Sequence, residues 1–294
     1  MRIPVASDTG VLSPYFVNAA GDATATTGTP TCAVVNAAGT TLTAPTVSAS
    51  SSPAVTGVYS AALTAAIHTT QVDRLTCAWA ATVSAKTVAH TEYVEVVGGH
   101  YVTIPELRAL DGLASSARCT VAVLEAARDW FEDLVEHHCG VAFVRRYQRD
   151  QLDGNGTAAL SLTRIHPRAV LSVSVSGTSQ TAADFDLYDH GEIYWPASTF
   201  TSPSVSSGAR NVVVAYEHGY DSPPADLKDI ALEVIRWRVL SKLNNRPSNF
   251  ISETTLDGTT MRMSTPDPKA GRPTGILALD PWIVAHSERV PGIA

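Results

Sequence analysis

Asn211-Val212-Val213-Val214-Ala215-Tyr216, then Glu217-His218-Gly219-Tyr220 and Ser222-Pro223-Pro224-Ala225-Asp226-Leu227-Lys228, set a strand directly before a helix. Residues 211–216 are apolar on both faces, the pattern of a central strand covered on two sides. Ser222 suits an N-cap, and Pro223 suits the first helical position, where a missing N–H leaves no bond unmade. Leu227, Ile230, Ala231, Val234 and Trp237 recur at helical spacing, which predicts a helix over about 223–243. Ile235 and Val239 widen its apolar surface beyond about 100°, more than a single core contact uses. Such a helix is buried either wholly in its own domain or partly against a second subunit.

Upstream, Ala117, Val121, Leu124, Phe131, Leu134 and Val135 predict another long helix over about 114–138, with Gly140 as its stop. Glu125, Arg128, Asp129, Glu132, Asp133 and Glu136 would form its wet face. Pro105 suits the first turn of an earlier helix. Between the long helices the period falls to two. Leu160 and Leu162 alternate with Ser161 and Thr163, and Leu171, Val173 and Val175 alternate with serines. Phe185 and Leu187, then Asp189-His190-Gly191, then Ile193 and Trp195, read as a hairpin.

Composition changes near residue 100. Residues 1–100 hold only three basic side chains (Arg2, Arg74, Lys86) and are dominated by Ala, Thr, Val, Ser and Gly. Leu75, Cys77, Trp79, Ala81 and Val83 alternate with smaller or polar residues, as a strand with one buried face does. Cys32 with Val34, Tyr59 with Ala61 and Leu63, and Val94 with Val96 repeat the pattern, so a β-sandwich is expected. From Asn244 onward Pro and Gly are frequent and periodicity is lost. Apolar residues persist there, among them Phe250, Ile251, Leu277, Leu279, Trp282 and Ile283. The expected fold is α+β: a β-sandwich over 1–97, a linker over 98–103, a helical domain with a small antiparallel sheet over 104–244, and an extended C-terminal arm over 245–294. The arm, with Ile235 and Val239, is the expected surface for a partner subunit.

A hydrophobic share of 45% against 17% charged residues supports packed cores rather than bulk disorder. The net charge of −7 speaks against wrapping nucleic acid, which needs clustered Lys and Arg. No run of about 18 apolar residues occurs, so no membrane partner is expected. The N-terminal residues lack the pattern of a signal peptide, so a cytoplasmic product is expected. The four cysteines form no CxxC pair. Cys32 and Cys77 lie on two predicted strands and could face each other; a reducing cytosol favours free thiols.

Chemistry is sparse. Gly154-Asn155-Gly156 reads as a turn, not a dinucleotide loop, because no helix follows. The phosphate-binding GxxxxGK[ST], the nucleophile GxSxG and the zinc-binding HExxH are all absent from the sequence. His137, His138 and Cys139 diverge around a helix and cannot converge on one ion unaided. Asp184, Asp186, Asp189 and Glu192 surround the hairpin, where negative charge guards a solvated edge. Glu217 and His218 have no nucleophile named beside them. Trp79 is expected in a core rather than as a carbohydrate platform. No catalytic residue, cofactor or metal is expected, and the chain is read as a non-enzyme.

Val214-Ala215-Tyr216-Glu217-His218-Gly219-Tyr220 followed by Pro224-Ala225-Asp226-Leu227-Lys228 resembles a signature of phage head-to-tail connector proteins. So does the order of Cys139-Gly140-Val141-Ala142-Phe143, Asp153-Gly154-Asn155-Gly156, Leu160-Ser161-Leu162, Pro167 and Thr274-Gly275-Ile276-Leu277-Ala278-Leu279-Asp280. The resemblance covers residues 102–285. Through Gly57-Val58-Tyr59 and Leu75-Thr76-Cys77-Ala78-Trp79, the first part resembles the immunoglobulin-like modules attached to phage structural proteins, in which a Cys32–Cys77 disulfide would match the usual bridge. The resemblance implies a virion protein of the neck, made in the host cytoplasm. It would form a ring of about twelve copies under the portal protein, extend the channel for passing double-stranded DNA, retain the genome, and dock head-closure or tail-completion proteins. The alternative is a surface-binding module whose sandwich recognises glycans or a host partner.

Overall fold

The computed structural model describes residues 1–5, 10–18, 20–49, 57–64, 71–200, 210–243, 253–256, 259–262 and 273–287. The chain divides into two compact units, residues 1–99 and 100–294. It mixes helices with several largely antiparallel sheets. Among the described residues, no helix is long and apolar enough to cross a membrane.

The first unit contains β1 (Arg2–Pro4), β2 (Gly10–Leu12), β3 (Thr31–Val35), β4 (Val47–Ala49), β5 (Tyr59–Leu63), β6 (Asp73–Val83) and β7 (Lys86–Val97). One sheet runs β1-β7-β6-β3 and the other β2-β5-β4. The period-two reading of residues 74–83 holds: Leu75, Cys77, Trp79, Ala81 and Val83 are all buried in β6. Residues from both sheets, including Leu12, Tyr59, Leu63, Val34, Trp79 and Val96, share one core. Burying an aromatic or branched aliphatic side chain contributes about 1.5–3 kcal/mol, and this core is what joins the sheets. Cys32 and Cys77 are free thiols on adjacent strands of one sheet, where Cys32 faces Trp79 and Val34 faces Cys77. They do not bridge two sheets, as the usual immunoglobulin disulfide would.

The second unit begins earlier than expected. Tyr101 and Val102, assigned to a linker by sequence, are core residues at 1% and 0% exposure. Thr103 then caps α1 (Ile104–Ala109) through a capping box with Glu106, and Pro105 lies in the first turn. Next come α2 (Val121–Cys139), β8 (Arg146–Leu152), β9 (Ala159–Ser161), β10 (Pro167–Val175), β11 (Thr178–Gln180), β12 (Asp186–Tyr188), β13 (Glu192–Tyr194), β14 (Val212–His218) and α3 (Ala225–Leu243). β15 (Glu253–Leu256) pairs with β16 (Thr259–Arg262), and α4 (Asp280–His286) follows. β14 is interior to the antiparallel sheet β11-β10-β14-β8, as its two apolar faces require. β12-β13-β9 forms a second small sheet, with the predicted hairpin pairing Asp186 to Tyr194.

Helix α2 starts at Val121 rather than 114, because the Thr120 hydroxyl caps it by accepting from Val123 N–H. It ends at Gly140, whose φ of 77° is open to glycine at little cost. Its expected wet face is only partly wet: Arg128 and Glu132 are 4% and 0% exposed. On β10, register shifts at Pro167/Ala169 and Val170/Ser172 interrupt the alternation, so Val173 and Val175 are buried while Leu171 is only half-buried.

The C-terminal segment corrects the sequence reading most. Residues 273–287 are not an extended arm. Leu279, Trp282 and Ile283 are 0%, 7% and 2% exposed and lie in the same core as Ile235 and Val239, at 0% and 1%. The surplus apolar face of α3 and the greasy residues of this segment are therefore buried within one chain. Phe250 and Ile251 lie outside the described residues.

Candidate functional site

Around the end of β14 the fold interlocks residues that lie far apart in sequence. Gly219, at φ 97°, turns the chain out of β14, and its N–H donates to His166 O. Tyr220 N–H donates to Ala142 O, and its ring stacks on Phe143 with centroids 5.8 Å apart. Trp282 meets Phe143 edge-on at 5.1 Å, donates from Nε1 to Asp226 Oδ2 at 2.8 Å, and stacks on His286 at 4.1 Å. Asp280, 2% exposed, accepts from both the Thr274 N–H and hydroxyl. These bonds lock the 273–287 segment onto the start of α3.

Gly219 has no room for a side chain. An added Cβ would sit 2.6 Å from Val144 O and 2.8 Å from Ala142 O, both backbone atoms that cannot swing aside. Strain at positive φ and forced overpacking together make Gly219→Ala expected to cost about 3 kcal/mol or more. A shift of the urea midpoint, with the denaturant slope unchanged, is the measurement. A variant as stable as the parent would refute the close approach.

On the outside of this hub, α3 and residues 275–278 enclose an open notch of about 250 Å³. Val234, Trp237, Ile276, Leu277 and Ala278 line it, with Glu233 at the side. Trp237 and Leu277 are 38% and 54% exposed, a large apolar investment left in water. Of the expected interface residues, Leu277 alone among those described reaches the surface. Ile235, Val239, Leu279, Trp282 and Ile283 are structural and cannot face a neighbour without unfolding the core.

A buried ionic cluster lies within the same unit. Arg146, 2% exposed, donates from Nη2 to Glu132 Oε2 at 2.8 Å and to Glu136 Oε1 at 2.7 Å. Glu132 Oε1 accepts Tyr101 N–H at 3.0 Å, and the Tyr101 hydroxyl donates to Glu136. Burial, then the Glu136 charge, pushes the Tyr101 phenol well above its usual range. On β8, beside β14, Asp150 accepts from the Tyr216 hydroxyl, the Thr163 N–H and hydroxyl, and Gln148 Nε2. These bonds tie the Thr163 segment and Tyr216 to β8. Neither network showed in the sequence, because Tyr101, Arg146 and Tyr216 meet their carboxylates only through the fold, and no sequence spacing marks those meetings.

His218 is 5% exposed, and burial followed by the Arg164 and Arg146 charges holds its pKa down at about 3. It is an enclosed imidazole held in its neutral form. Asp184, Asp186 and Asp189 are exposed around the hairpin. Cys139 is buried, while His137 and His138 pack ring to ring. Asp153–Gly156 is a turn, with Asn211 Oδ1 accepting Gly154 N–H. Trp79, 1% exposed, offers no face to a sugar. Among the described residues one group has donors close enough to share a metal ion: His100, Asp129 and Glu132. The chain matches no family model and no curated protein.

Proposed function

We propose that the chain is a structural virion protein, a head-to-tail connector that assembles as a ring under the portal. The observation that carries this reading is the exposed apolar notch of Trp237 and Leu277, built on a hub made of the very residues that resemble connectors. A ring closes by a heterologous contact, in which one patch of each subunit meets a different patch of the next. The notch supplies one such patch, and aromatic residues in partly enclosed pockets dominate the energetics of such contacts. An acidic chain of net charge −7 beside the channel would repel phosphates and let DNA slide. The two-sheet first unit, in this reading, is an immunoglobulin-like module carried on the ring. Its partners are the portal protein, further copies of itself, and a head-closure or tail-completion protein.

The test mixes the full chain with its portal and images the product by electron microscopy. A collar of this protein on the portal is the expected result. Trp237→Glu combined with Leu277→Glu should reduce assembly about tenfold or more, since removing a central hot spot costs roughly 2 kcal/mol or more. Circular dichroism of the variant should be unchanged, because both side chains are exposed. Absence of any collar from the folded parent at micromolar concentrations would sink the reading.

A further inference from the structure

We propose that His100, Asp129 and Glu132 form a site for one divalent transition-metal ion of the zinc class, an inference independent of the connector reading. Their donor atoms all lie within 4.8 Å of one another, as ligands of a single ion must. His100 and the two carboxylates come from different parts of the second unit: the segment before α1, and one face of α2 at positions three apart.

The histidine points to a ligand. Its side chain is 6% exposed, yet neither ring nitrogen makes a hydrogen bond. Nδ1 lies 3.3 Å from Glu132 Oε1 without the alignment of one. A buried polar group left in this state costs free energy, and ligation removes the cost. Glu132 is already oriented: Arg146 holds Oε2, and Tyr101 N–H reaches Oε1. A carboxylate oxygen has two lone pairs, so Oε1 can accept that N–H and still face an ion. Outer partners of this kind fix the ligands of natural metal sites. Arg128 Nη2 lies 3.6 Å from Asp129 Oδ1, an ion pair rather than a hydrogen bond. One imidazole with two carboxylates suits Zn²⁺ or Mn²⁺ better than a hard cation such as Mg²⁺. Bound there, the ion would fasten the segment leading into Tyr101 and Val102 onto α2.

The experiment strips the full chain with EDTA and titrates Zn²⁺ by calorimetry, with Co²⁺ absorption reporting the ligand geometry. One ion per chain is expected. His100→Ala and, separately, Asp129→Asn should each weaken binding about a hundredfold, at the upper end of what losing even an outer partner costs. Both changes leave the Glu132 and Glu136 partners of Arg146 in place, and circular dichroism checks that both variants fold. Replacing His137 and His138 together with alanine should leave the affinity unaltered. The proposal is overturned if no Zn²⁺ binds, if His100→Ala binds as tightly as the parent, if affinity is lost in the His137/His138 variant instead, or if Mg²⁺ competes on equal terms.

Discussion

Arg146→Ala is expected to destabilise the second unit by about 3–5 kcal/mol, the cost of stranding a buried charge by removing its partner. Glu132 is fully buried, and Arg146 supplies its 2.8 Å ion pair and a further contact to Glu136. In the variant the Glu132 carboxylate loses its counter-charge but gains no water. Changing both partners to methionine should recover much of the loss, since apolar replacement of a whole buried pair is often neutral or better. Urea unfolding of the two single variants and the double one measures the coupling. An Arg146→Ala protein within about 1 kcal/mol of the parent would show that the pair is solvated in solution, at the level typical of exposed pairs.

Deleting residues 273–294 is expected to have an effect as large. It removes Leu279, Trp282 and Ile283 from the core and strips cover from Ile235 and Val239. Loss of one buried tryptophan alone costs about 3–5 kcal/mol, and two further aliphatic side chains go with it. Against the marginal stability of a natural domain, about 5–15 kcal/mol, the second unit should then lose cooperative unfolding and bind hydrophobic dyes. The first unit shares none of that core and should keep its β-sheet spectrum. A truncated chain whose second unit melts as sharply as the parent's would contradict the packing of α4.

Much of the fold could be read from spacing. The alternation over 74–83 identified β6 residue by residue, because a sheet face against a core leaves a strict period of two. The doubly apolar run at 212–216 identified an interior strand, and Gly140 and Gly191 marked their turns. Two things were not legible, for related reasons. Arg128 and Glu132 looked like a solvated face because charge on a helix normally is, and the cation that permits Glu132 to be buried sits beyond the helix at Arg146. The segment 273–287 looked extended because a seven-residue helix carries too little period to detect. Its order comes from Thr274–Asp280 and Trp282–Asp226 bonds that only the folded chain brings together. The excess grease on α3 and the unexplained grease of the tail were one observation seen twice: each belongs to the core that covers the other. Of the candidate site, Leu277 was found by this route. His100 escaped, since nothing in the sequence distinguishes it from a surface histidine at a domain join.

Placing Trp282 against Phe143 and Asp226 also sets a schedule for synthesis. When α2 and α3 have left the ribosome, their shared interior still lacks its last wall, and the residues that provide it are some forty positions further along the chain. The nascent second unit must wait with that seam open, whereas the first unit can close as soon as β7 emerges. Newly made molecules should therefore pass through a stage in which one half is finished and the other is still a client for chaperones.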